Sequence, residues 1–260
     1  MAQIIDPQLS GIIRCTRYAF MPNRLHFCGP ENQADILEFY SGMNENKIAQ
    51  KSIKPLLEKF ETMYPYLKVI ARANEVKNPL DEQVVEAYWL GNENLEEVSL
   101  SALYFHLTDT LGVKKKLGMK NFINFGKGFS KKSLPHHNFH VFSIWRRTGK
   151  TEDFHTLATI DACRISWGLV THVGSGYLQL KTRPLDSSAR GEIFEGEIVE
   201  KNILNQVENS PLLKNVAAGD LVSLHWGAPC EKLTERQAAN LQKYTELCIS
   251  IANSDLSRNL

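Results

Sequence analysis

Several features that would assign this chain to a specialised class are missing from its sequence. Its 260 residues include five cysteines, an odd number, and none forms a Cys-x-x-Cys pair, so neither a disulfide framework nor a zinc ribbon is indicated. No apolar run reaches the roughly 18 residues that span a bilayer, and no basic stretch precedes an apolar segment at the N-terminus. We therefore expect a cytoplasmic globular protein with reduced thiols and no membrane partner.

Neither positive nor negative charge is in large excess. Thirty basic residues face twenty-nine acidic ones, a net charge of +1, which does not favour a polyanionic partner. The exception is local: residues 114–132 hold seven lysines and no acid, with Phe122, Phe125 and Phe129 among them. Lysines and aromatics interleaved in this way are typical of single-stranded nucleic-acid surfaces. The near neutrality of the whole chain favours a solvated loop anchored by the phenylalanines, and nucleic-acid binding is the least favoured function.

Residues 1–132 are predicted to form a mainly helical region. Apolar residues recur at three- and four-residue spacing between about 31 and 112, as on one face of an amphipathic helix. The last such run, 100–111, ends at Gly112, which is suited to a left-handed helix C-cap.

Residues 133–260 are predicted to form a small β-barrel followed by a helix. Apolar and polar residues alternate along 139–145, and similar short runs follow. These runs cover 157–165, 168–173, 176–182, 191–199 and 221–225. A closing helix is predicted over 234–252, with Thr234 as its N-cap and Gln237 in the capping-box position. The predicted fold class is thus α+β, with its boundary near residue 132.

Two groups of residues have side chains suited to metal binding or nucleophilic chemistry. His136, His137 and His140 lie within five residues and could hold a transition metal, although a polar strand entry satisfied by backbone hydrogen bonds explains them as well. Cys28 and His26 lie in an irregular segment near arginines, where a thiol can act as nucleophile or ligand. A packed loop is the alternative there.

The last third of the chain resembles a known family. The segments that carry the resemblance are CRISWGLV at 163–170 and AGDLVSLHWGAPCEKL at 218–233. They are similar to the HypC/HupF family of small NiFe-hydrogenase maturation chaperones, which has the same order of Cys, Gly and Val, then Gly-Asp, Val, His and Gly, before a C-terminal helix. The resemblance implies a HypC-like (OB-like) β-barrel from about residue 160, and the first 150 residues have no counterpart in that family.

The resemblance also implies a function and its residues. Cys163 and His225 would ligate iron, carried transiently as Fe(CN)2CO, or contact a partner, while Gly168, Gly219 and Asp220 would be structural turn residues. The partners would be the precursor of the hydrogenase large subunit or other maturation proteins. The protein would then be a chaperone or carrier and not an enzyme. The alternative is a metal-dependent enzyme that uses the 136/137/140 histidine cluster, with the barrel as a docking module.

Overall fold

A computed structural model describes most of the chain: residues 7–31, 36, 50–118, 122, 129, 132–145, 156–207 and 210–257. Most of the lysine-rich segment, including Phe125, lies outside the described residues. All structural statements below concern the described ranges.

The first half is helical, as predicted. Its helices are α1 (Pro7–Arg24), α2 (Gln50–Glu58), α3 (Met63–Ala73), α4 (Glu82–Trp89) and α5 (Leu100–Phe105). Short polar side chains begin two of them, because Asp81 accepts a hydrogen bond from the Gln83 N–H and Ser99 accepts one from the Ala102 N–H. Gly112 has φ +61°, so the predicted left-handed residue is confirmed.

The region predicted as a strand at 139–145 is helical instead, and that prediction is wrong. Helix α6 (His137–Phe139) continues as a π-helix over His140–Trp145. The π-helical residues 141–144 are all buried, so the alternation along the sequence does not separate a core face from a solvent face. A second π-helix, His106–Thr110, follows α5. Such segments occur frequently at functional sites.

The β-rich prediction for 157–165 is also wrong, because helix α7 covers Leu157–Cys163. Thr156 begins it: its hydroxyl accepts a hydrogen bond from the Thr159 N–H at 3.2 Å. A Thr N-cap supplies a partner for an otherwise unpaired helical N–H, and this local bond prevails over the β-branched residues that suggested a strand. Cys163 is the last residue of this helix.

A five-stranded antiparallel sheet occupies the C-terminal half. Its strands are β1 (Ser166–Val173), β2 (Tyr177–Thr182), β5 (Val199–Leu204), β8 (Leu221–His225) and β9 (Ala228–Leu233). Their order is β5-β2-β1-β8-β9. Two separate ribbons pair β3 (Leu185–Ser187) with β4 (Ile193–Glu195) and β6 (Gln206–Val207) with β7 (Ser210–Pro211).

The predicted HypC-like (OB-like) barrel is wrong, because the sheet is open. In the described ranges its outer strands β5 and β9 are not hydrogen-bonded to each other. The β3–β4 ribbon leaves the sheet because it is attached elsewhere: the Ile193 backbone exchanges hydrogen bonds of 3.0 and 2.8 Å with the Asn253 side chain. The Leu185 N–H donates to Asp161 in α7 at 3.0 Å. The β3–β4 ribbon is therefore separate from the five-stranded sheet.

The glycines of the motifs have local structural explanations. Gly168, predicted as a turn residue, lies within β1, where an added Cβ would be 2.6 Å from Leu180 Cδ1. Gly219 has φ +94° and precedes Asp220, whose carboxylate accepts a hydrogen bond from the Ala217 N–H at 2.7 Å. Gly168 is therefore explained by close packing between strands, and Gly219 and Asp220 are explained by a turn.

The chain closes with helix α8 (Glu235–Ser257). The Gln237 N–H donates to the Thr234 hydroxyl at 3.2 Å, and the Thr234 N–H donates to Gln237 Oε1 at 3.0 Å, so the predicted capping box is confirmed. One hydrophobic cluster extends from Ile12 to Ala252 and joins residues on both sides of position 132. Within the described ranges, no helix combines the length and apolarity that crossing a membrane requires.

Candidate metal centre

Three side chains from separate elements meet in the interior. His137 begins α6, Cys163 ends α7 and His225 ends β8, and one potential ligand atom from each lies within 4.8 Å of those of the other two. The main chain joins two of these elements, since the Trp226 N–H donates to the Ala162 carbonyl at 2.7 Å. Imidazole nitrogen and thiolate sulfur are ligands that zinc, iron and copper accept. We refer to these three residues as the His-Cys-His cluster.

His225 is positioned with one ring nitrogen available. Its Nδ1 lies 2.7 Å from the Tyr18 carbonyl oxygen, and because a carbonyl only accepts, Nδ1 carries the proton. The lone pair is therefore on Nε2, which is buried and accepts no hydrogen bond among the described residues. The Cys163 carbonyl beside the ring only accepts, so it stabilises the protonated ring and does not satisfy this lone pair. Burial lowers the pKa of His225 to about 4, although the backbone carbonyls of Tyr18 and Cys163 oppose this shift. The ring is neutral at pH 7, which is the form that binds metals.

His137 has both ring nitrogens engaged. Its Nε2 lies 2.9 Å from the Cys163 carbonyl oxygen and its Nδ1 lies 3.2 Å from the Tyr88 hydroxyl. In this arrangement Nε2–H donates to the carbonyl and Nδ1 accepts from Tyr88. Burial, followed by the charge of His225, holds the pKa of His137 well below its usual range. A metal at Nε2 would replace the proton there, with Nδ1–H then donating to Tyr88, the kind of outer hydrogen bond that orients ligand histidines.

Cys163 is a protonated thiol in the metal-free protein. Burial and the neighbouring Cys28 raise the pKa of this thiol, and a hydrogen bond from Trp226 only partly offsets them. Cys163 is therefore not a free nucleophile at neutral pH. A divalent cation next to the sulfur favours the thiolate strongly, so metal binding would release the proton.

The His-Cys-His cluster forms part of the wall of a cavity of about 100 Å³, which we call the inner cavity. Aromatic side chains make up much of the rest of the wall: Phe27, Phe60, Tyr88, Trp89, Trp145 and Trp226. Phe27 stacks on Trp226 with ring centroids 4.0 Å apart, and 54 % of Phe27 is exposed. This pair lies between the cavity and solvent. The inner cavity offers a small, largely apolar volume beside the candidate ligands.

The other residues predicted from the sequence occupy different positions. Cys28 and His140 also line the inner cavity, with burial raising the pKa of Cys28 to about 11 and the His140 Nδ1 lying 3.1 Å from the Tyr66 hydroxyl. His136 is turned away: its Nδ1 accepts from the Asn138 N–H at 3.1 Å, which makes it the cap of α6. His26 is exposed and adopts φ +62°.

Sequence reasoning missed three residues that shape the site. Tyr18 and Tyr88 hold the histidines of the cluster through the bonds described above, and both are fully buried. His106 packs edge-on against Tyr66 with ring centroids 4.3 Å apart, and neither of its ring nitrogens has a hydrogen-bond partner in the described part of the chain. No local pattern distinguishes these residues, because each acts on residues far away in the sequence.

In the described ranges, the fold and site define a protein of helices and an open five-stranded antiparallel sheet, with a histidine–cysteine cluster beside an aromatic cavity. The chain belongs to a family of unknown function, DUF6390, whose model matches residues 7–259. No curated protein and no solved structure matches it. Because this one family spans nearly the whole chain, the prediction that the last third of the chain belongs with the HypC/HupF chaperones is wrong. The shared letters in that segment correspond to the close packing and turn geometry described above.

Proposed function

We propose that this protein binds one transition-metal ion through His137, Cys163 and His225 and acts as a metal-dependent enzyme. The observation that carries the proposal is the buried His225 Nε2, which accepts no hydrogen bond from any residue in the described part of the chain while Nδ1 is fixed by the Tyr18 carbonyl. An unpaired polar atom in the interior costs about 1–3 kcal/mol, and a metal ligand bond would remove that cost. The neutral histidines and the nearby thiol supply a donor set suited to Zn²⁺, Fe²⁺ or Co²⁺.

An open coordination position supports a catalytic role over a structural one. Structural zinc sites have four protein ligands, whereas catalytic sites have three and leave the fourth position for water or substrate. The cluster provides three, and the inner cavity lies beside them. A metal ion there would polarise a substrate oxygen or lower the pKa of a bound water. The protein supplies the orientation of the ligands and an apolar wall.

A cytoplasmic location is also proposed, and it is supported by five free cysteines, which are typical of a reducing compartment. The role in NiFe-hydrogenase maturation stays an untested prediction outside this proposal, since the resemblance on which it rested is wrong.

The test is a titration of the reduced, metal-free protein with Co²⁺ under anaerobic conditions. We expect one equivalent to produce the intense charge-transfer absorption of a thiolate bound to cobalt. Cys163→Ala and His225→Ala should lose that band. Cys248→Ala is the matched control, because Cys248 is a buried free thiol in α8 and the same substitution there should leave the band unchanged. A folded Cys163→Ala protein that keeps the band would exclude this site.

A further inference from the structure

A second cavity adjoins the inner one. This cavity, which we call the outer cavity, has a volume of about 530 Å³. Its lining includes more polar and charged side chains than that of the inner cavity. The two cavities share five lining residues: Phe27, Cys28, Thr62, His140 and Trp145. A molecule occupying the outer cavity would therefore lie directly against the wall of the inner one. Together the two volumes are of the size that small-molecule sites have, about 300–1,000 Å³.

The outer cavity differs from the inner one in charge. Among the residues that the structure describes, Lys59 and Lys116 line it together with a single acid, Glu61. Both lysines are exposed. Lys59 directly follows α2, and Lys116 lies in the helical residues 113–118, so the two side chains reach the outer cavity from separate elements. Lys116 lines the outer cavity together with His140, which also lines the inner one. Burial, followed by His106 and Lys116, lowers the pKa of His140 to about 3. His26 is the remaining titratable imidazole on the rim.

We propose that the outer cavity binds the anionic group of a small organic molecule whose apolar part extends between the aromatic side chains into the inner cavity. This inference rests on the proposed function, because it names the substrate class of the same site: a carboxylate or phosphate with a compact apolar or aromatic portion. Lys59 and Lys116 recognise the charge. Phe27, Trp145 and Trp226 contact the apolar portion.

The walls of the two cavities differ in chemistry: the inner wall is largely aromatic, and the outer wall includes two lysines. Apolar surface buried among aromatic rings provides affinity without regard to charge, whereas two ammonium groups discriminate an anion from a neutral molecule of the same shape. Glu61 reduces the positive charge of the outer cavity, so these three side chains together carry a net charge of +1. The selection is therefore for one anionic group at one end of the molecule.

The experiment compares benzoate with benzamide, which has nearly the same shape without the charge, in Co²⁺-loaded protein at fixed low ionic strength. Quenching of tryptophan fluorescence reports occupancy, since Trp145 and Trp226 line the cavities. We expect benzoate to bind at least tenfold more tightly than benzamide. The Lys59→Gln/Lys116→Gln double variant should lose about tenfold in benzoate affinity and retain its affinity for benzamide. Phenyl phosphate, in parallel, distinguishes a carboxylate preference from a phosphate preference.

The matched control is Lys54→Gln/Lys77→Gln, which removes two exposed lysines that line neither cavity and should bind benzoate as the parent does. Equal affinity for benzoate and benzamide, or a Lys59/Lys116 variant that binds benzoate as well as the parent, would overturn the inference. The Co²⁺ titration separately reports on the metal site. If no Co²⁺ binds, the same comparison in metal-free protein still decides, because charge discrimination that depends on the two lysines supports the outer cavity and its absence overturns it.

Discussion

Zinc should raise the melting temperature of this protein by an amount that depends on Cys163. A ligand that binds only the native state at 100 times its Kd stabilises that state by about 2.7 kcal/mol. With an unfolding entropy of about 2.1 cal/mol/K per residue, a chain of 260 residues loses roughly 0.55 kcal/mol of stability per degree near Tm. The expected rise in Tm is therefore about 5 °C.

Cys163→Ala should abolish this rise. If the loss of the thiolate weakens zinc binding by about a thousandfold, the same free zinc lies near one tenth of Kd and stabilises the protein by less than about 0.1 kcal/mol, which is below 1 °C. The assay is differential scanning calorimetry with free zinc set by a chelator and thiols kept reduced. The zinc-dependent difference is taken within each variant, since removing a partly buried thiol also lowers the stability of the metal-free protein.

Cys248→Ala provides the control for this measurement and should keep the rise of about 5 °C. The reasoning would be refuted by a Cys163→Ala protein with an undiminished zinc-dependent shift. A control variant that loses the shift would refute it equally, because the effect would then not belong to the His-Cys-His cluster.

Three further substitutions test the surroundings of the site. Tyr88→Phe removes the hydroxyl at His137 Nδ1 and should weaken Co²⁺ binding about tenfold, measured by competition with a chelator. Glu231→Gln removes the carboxylate that accepts from the buried Arg14 Nε at 3.0 Å and should lower the free energy of unfolding in urea by about 3 kcal/mol. His106→Phe should raise that free energy by about 1 kcal/mol, because it removes two buried ring nitrogens that have no hydrogen-bond partner among the described residues.

Each substitution has a control of the same chemical type. Tyr64→Phe removes a surface hydroxyl bonded to Glu58 and should leave Co²⁺ affinity unchanged. Glu96→Gln breaks an exposed pair with Lys243 and should cost less than about 1 kcal/mol. Replacing the exposed His172 by Phe should change stability by no more than about 0.5 kcal/mol. A variant indistinguishable from its own control would contradict the corresponding prediction.

Local signals predicted the parts of the fold that depend on neighbouring residues. The helical first half, the left-handed Gly112 and the Thr234–Gln237 capping box follow from periodicity and from hydrogen bonds within a few residues, and all are confirmed. The strands predicted at 139–145 and 157–165 failed for two reasons. Residues 141–144 of the first segment are all buried, and the second segment begins with a helix cap at Thr156.

Only part of the candidate site could be predicted from the sequence. Cys163, His225 and His137 are each candidates from the sequence. The first two follow from the family resemblance and His137 from the spacing of neighbouring histidines, so nothing in the sequence joins them in one site. The three neighbouring histidines were treated as a unit, whereas helical residues in sequence point about 100° apart. His137 faces Cys163, His136 caps α6 and His140 contacts Tyr66. Only the packing of α6, α7 and β8 determines which of them meet.

The hydrogen bond from the Trp226 N–H to the Ala162 carbonyl has a consequence for the order of events during synthesis. It attaches the β8–β9 turn to the end of α7, next to Cys163, so the candidate ligands come together only when β8 has docked. A nascent chain that has emerged through α7 contains His137 and Cys163 but no complete binding site. If the cluster binds a metal as proposed, insertion into the complete three-ligand site would follow translation and docking of β8.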